Sequence, residues 1–178
     1  MKILTRLPYQ ATSSAGSVHG ENFTVKAFQI VARISVSARQ VLDWDSRLPN
    51  IPAVLDTGNN YHFAIGESQL TRWAGMPLSS LPRVGTISER GNRIPLHAAR
   101  LWLHPNVAHH TAAEGSEPFQ LSIDEGIAVY PDQAAPRLPV LGLRALTTNR
   151  LQLLLDADNR QVHLRSPDWR TRLVRWIS

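Results

Sequence analysis

The chain has 178 residues, enough for one domain with ordered extensions, and 43% of them are hydrophobic, enough for a real core. It has no cysteine, which excludes a disulfide framework and thiol chemistry. The net charge of +5 comes from scattered arginines rather than a basic patch, so neither nucleic acid nor a membrane surface is an expected partner.

The opening residues lack the long apolar segment of a signal peptide, and no apolar run could span a bilayer. A soluble, cytoplasmic protein is the expectation. Residues 1–20 have little periodicity and predict a loose arm. From Phe23 to Val36 the alternation predicts a strand, with Phe28, Ile30, Ala32, Ile34 and Val36 on one face. A loop over 43–50 leads into Ile51-Pro-Ala-Val-Leu-Asp56. Here an extended apolar run stops abruptly at Asp56-Thr57-Gly58, because glycine permits a sharp turn. A carboxylate is thus delivered at the mouth of a core strand, where it needs a partner or a proton.

Tyr61–Ile65 make a second apolar run, and Glu67–Trp73 a short helix closed by Gly75 and Pro77. Residues 78–104 form a long hairpin in which Gly85 and Gly91 both qualify as the tip. A polar loop over 104–118 follows, then a strand at Phe119–Ile123 and another at Ile127–Tyr130. Leu138–Leu146 predicts a strand ended by Gly142 and then a helical turn. Leu151–Asp156 and Gln161–Arg165 form a hairpin across Ala157–Arg160. Residues 166–178, with Trp169, Leu173, Val174 and Trp176, predict an amphipathic tail. Many short strands with regular turn signals mean an all-β barrel or sandwich.

The order of Asp56-Thr57-Gly58, a short helix, a glycine-bearing hairpin and the strand Val140-Leu141-Gly142 resembles the retropepsins, the single-lobe aspartic proteases. The resemblance spans residues 28–165 and implies a closed acid-protease barrel over 21–165 with one or two short helices. It implies an endopeptidase in which Asp56, Thr57 and Gly58 form the catalytic loop. Val84, Gly85 and Thr86 fall in the flap and Val140 and Gly142 in the element beneath the loop, and these five are the expected substrate-binding residues of flap and pocket. Two carboxylates sharing one proton can both activate water and protonate the substrate. The chain has a single Asp-Thr-Gly, so the resemblance implies a homodimer with one Asp56 from each copy, Thr57 bonding across it and the 166–178 tail supporting it. The expected partners are a second copy and a peptide substrate; no cofactor or metal is expected. The chain departs from the pattern at Asn59-Asn60, and has Leu143 directly after Gly142 with Arg144 one place on. The alternative is a retropepsin-like domain that binds or assembles peptides without cleaving them.

Other constellations carry less. His97, His104, His109, His110 and Glu114 lack the spacing of a metal site. There is no Gly-x-Ser-x-Gly elbow and no phosphate-binding glycine loop. Asp156 and Asp158 flank a hairpin turn, where aspartate is common for backbone reasons.

Overall fold

The computed structural model describes residues 2–89, 91–105 and 117–166. The chain opens with β1 (Lys2–Pro8), β2 (Ser14–Val18), β3 (Glu21–Val25), β4 (Ile30–Ala38), β5 (Ile51–Asp56) and β6 (Phe63–Gly66). After a wide helical turn at Gln69–Trp73 come β7 (Arg83–Glu89), β8 (Asn92–His97), β9 (Ala99–His104), β10 (Phe119–Leu121) and β11 (Ile127–Tyr130). The chain then runs through β12 (Val140–Gly142), α1 (Leu143–Thr148), β13 (Gln152–Asp156) and β14 (Gln161–Arg165). The protein is all-β with few short helices, as its turn spacing implies. Among the described residues no helix is long and apolar enough to cross a membrane.

Nine strands make one sheet in the order β10-β9-β4-β5-β12-β6-β11-β8-β7. Among the described residues the expected closed barrel is not formed. Its two end strands do not pair with each other: β10 is only three residues long, and β7 pairs with β8 alone. At the centre β5 is buried from Ile51 to Leu55, which explains its unbroken apolar run. β12 is inserted between β5 and β6, parallel to the first and antiparallel to the second. β6 and β11 then pair in parallel. The main core gathers Ile34, Ile51, Phe63, Ile65, Leu70, Leu101, Leu103 and Leu141.

The N-terminal residues correct the expectation of a loose arm. β1 joins β14 and β13 in a three-stranded sheet, and Ile3, Leu4 and Leu7 are buried beneath it. The register slips between Lys2 and Leu4 and again between Leu4 and Leu7, and Arg6 takes a φ of 55°. Such bulges move successive apolar residues off a strict two-residue period, so no alternation shows in the sequence. β2 and β3 form a hairpin tied to the helical turn at 69–73. There the Trp73 indole donates to Glu21 (2.9 Å) and the Phe23 and Trp73 rings lie 6.1 Å apart.

The strand expected from Phe23 to Val36 is broken at residues 26–29. Phe28 has a φ of 62° and is exposed, its amide donating to the Gln10 carbonyl at 2.7 Å. Of the tail expected at 166–178, residues 167–178 lie outside the described residues, as do His109, His110 and Glu114 of the polar loop.

Candidate functional site

Asp56 ends the buried strand β5 and is itself exposed, as are Thr57 and Gly58. The Gly58 amide donates to Asp56 Oδ1 at 2.8 Å, and the Asn59 amide to the Asp56 carbonyl at 3.2 Å. Asn59 turns its side chain along its own loop, its Oδ1 accepting from the Tyr61 amide at 2.9 Å. Asn59 therefore has a local use: its side-chain oxygen closes an Asx turn on its own loop.

From below, the loop is held by the strand–helix junction. The Gly142 amide donates to the His62 carbonyl (3.1 Å) and the Leu143 amide to the Asn59 carbonyl (3.0 Å). Gly142 pairs with Asp56 across the parallel β5–β12 ladder. A Cβ at position 142 would lie 2.0 Å from the Tyr61 carbonyl oxygen and 2.8 Å from that of Asn59. Only glycine lets these two backbones approach so closely.

Asp56 faces a cleft of about 200 Å³ lined also by Lys26, Gln29, Val54, Arg137 and Val140. Among the described residues it is the only carboxylate in that lining. Val140 joins the cleft to a small apolar cluster of Ala64, Ile94, Leu96, Ala128 and Tyr130. The fold therefore brings together Asp56, Thr57, Gly58, Val140 and Gly142 of the residues singled out from sequence. Val84, Gly85 and Thr86 lie elsewhere, at the base of the β7–β8 hairpin. There Gly85 pairs with Leu96, and the Arg83 guanidinium donates to Thr86 Oγ1 at 2.5 Å. The tip of this hairpin is at Gly91, which has a φ of 82°. Just before the tip, Glu89 accepts a 2.5 Å hydrogen bond from the Tyr130 hydroxyl, whose pKa is raised by burial and by that carboxylate.

Lys26, Gln29 and Arg137 were not legible as site residues. Lys26 and Gln29 sit at the 26–29 turn that breaks the expected strand. Arg137 reaches the cleft only because β12 runs parallel to β5, a pairing between distant segments that no local pattern encodes. Arg144 forms a two-pronged ion pair with Glu125.

The buried histidines have neutral partners. His62 Nε2 lies 3.1 Å from the Thr148 hydroxyl, and His97 Nδ1 lies 2.8 Å from the Leu81 carbonyl. The Ser35 hydroxyl donates to the Pro49 carbonyl (2.8 Å), so toward His104 Nε2, also at 2.8 Å, it accepts. Burial, reinforced by the Arg33 charge, lowers the His104 pKa to about 4, against about 6.5 in an unfolded chain. Between those values the unfolded chain binds more protons than the folded one. Stability is therefore complete above about pH 6.5 and drains as the pH falls toward 4, by ~3 kcal/mol in full. His62, also lowered by burial, acts in the same direction. Urea midpoints at pH 7, 5.5 and 4.5 should fall steadily in the wild type and less steeply in His104→Gln. Equal slopes would remove His104 as the cause.

Comparison with protein-family models, with curated proteins and with solved structures finds no match to this chain.

Proposed function

We propose that the chain is an aspartic endopeptidase of the retropepsin-like kind, active as a homodimer. The observation that carries this reading is an exposed carboxylate at the end of a buried strand, held by the Gly58 amide and alone among cations and apolar groups in an open cleft. One carboxylate cannot both activate water and protonate an amide. The second comes from Asp56 of another copy placed across a two-fold axis, and the two share one proton because like charges at close range cannot both ionise. The pair then titrates as a unit.

Each residue of the loop has a part. Gly58 N–H fixes one carboxylate oxygen and leaves the other for water. Thr57, exposed and without a hydrogen bond among the described residues, is available to bond across the dimer. Gly142 keeps the loop low enough to be held by β12 and α1. The β7–β8 hairpin closes over the bound peptide and excludes water. Among the described residues β7 pairs on one side only, so an extended peptide can add to its other edge.

The test is cleavage of a mixed peptide library between mildly acidic and neutral pH, by wild type and by Asp56→Asn, with products read by mass spectrometry. Cleavage by the wild type alone supports the reading. Absence of cleavage by a wild-type protein shown to be folded and dimeric would replace it with peptide binding or assembly without chemistry.

A further inference from the structure

A second cavity, of about 240 Å³, lies beside the Asp56 cleft. Its walls are Tyr9, Phe23, Val25, Val31 and Pro52, and its one charged group among the described residues is Arg33. Gln29 lines both cavities, so they adjoin. They also share a face of the sheet. Val31 opposes Val54 and Arg33 opposes Pro52 across the β4–β5 ladder, and along β5 the side chains of Pro52, Val54 and Asp56 alternate onto one side. Gly16 allows the roof: a Cβ there would lie 2.4 Å from the Phe23 ring, which instead lies across the bare backbone of β2.

Arg33 is half-buried under this hairpin and, among the described residues, pairs with no carboxylate. Its neighbour on β9, His104, is a neutral imidazole bonded to Ser35 and supplies no counterion. Burial disfavours the charged guanidinium. A cation held among aromatic and aliphatic walls gains most from a carboxylate, which it can grip with two parallel hydrogen bonds. In the adjoining cleft Lys26 and Arg137 outnumber the one carboxylate, Asp56, so the described groove is cationic on balance.

We propose that the Arg33 cavity is a specificity pocket for an acidic side chain of the peptide presented to Asp56. The inference rests on the peptidase reading above. From Pro52, opposite Arg33, to Asp56 is four strand residues, about 13 Å at ~3.3 Å per residue. An extended peptide in the groove therefore places Asp or Glu about four residues from the bond at Asp56. In a two-fold dimer the groove occurs twice, so the preference holds on both flanks.

The probes are ten-residue peptides of neutral sequence carrying Glu at one scanned position, each beside its Gln counterpart. With the wild type, Glu four residues from the cleaved bond should raise kcat/KM about tenfold or more over Gln, the scale of a hydrogen bond to a charged group. The gain should lie mostly in KM. In Arg33→Gln, checked for an unshifted melting midpoint, the ratio should fall to about one, and Arg33→Lys should restore part of it. Equal cleavage of Glu and Gln peptides by the wild type overturns the proposal without any variant. If the wild type cleaves nothing, the peptidase reading falls, and the pocket is judged by fluorescence anisotropy of the same labelled peptides. Tighter binding of the Glu peptide, lost in Arg33→Gln, upholds the pocket; equal binding of the Glu and Gln peptides overturns it.

Discussion

Asp56→Asn is expected to lower peptide turnover by about 10²–10⁴-fold, the usual contribution of a positioned acid–base group. In the proposed homodimer both halves of the pair are changed at once, so no intact carboxylate would remain to take the proton. The fold should not register the change. Asp56 is exposed, and an asparagine oxygen at Oδ1 still accepts from the Gly58 amide. Unfolding free energy should therefore stay within about 0.5 kcal/mol of the wild type, as for most surface substitutions. The two measurements belong together. Lost turnover with an unchanged unfolding curve assigns the chemistry to the carboxylate, whereas retained turnover would move the chemistry away from Asp56 altogether.

Gly142→Ala is the counterpart that should break structure. The added methyl would meet two carbonyl oxygens that belong to backbone and cannot swing aside as a side chain could. Relief requires lifting residues 59–61, which costs the bonds from the Gly142 and Leu143 amides to His62 and Asn59. Overpacking together with two orphaned backbone amides predicts a loss of ~3 kcal/mol. The measurement is the urea midpoint. A loss below about 1 kcal/mol, small for such a backbone clash, would mean that the loop lifts freely.

The parts of this protein that were legible in sequence are those where one residue type has one physical meaning. An apolar run stopped by Asp-Thr-Gly gave β5 and its carboxylate. Leu141-Gly142 gave the end of β12, and Ala157–Arg160 gave the β13–β14 turn. What stayed hidden depended on distant pairing or on irregularity. The bulges of β1 disguised Ile3, Leu4 and Leu7 as a disordered composition. The left-handed Phe28 looked like one more strand residue. Lys26 and Arg137 came to the cleft by tertiary placement alone. The open sheet was not legible because strand count does not determine which edges meet.

The insertion of β12 between β5 and β6 has a consequence in time. The loop bearing Asp56 leaves the ribosome roughly eighty residues before the Gly142–Leu143 junction that fastens it. At about 5–20 residues per second, that is about 4–16 s in which the carboxylate exists without its fixed geometry. Until then β5 and β6 flank a gap that only a late segment fills, a contact between segments far apart in sequence and therefore slow to form. On the proposed reading, a nascent chain cannot cut its neighbours on the same message: the chemistry is withheld until nearly the whole domain has been made.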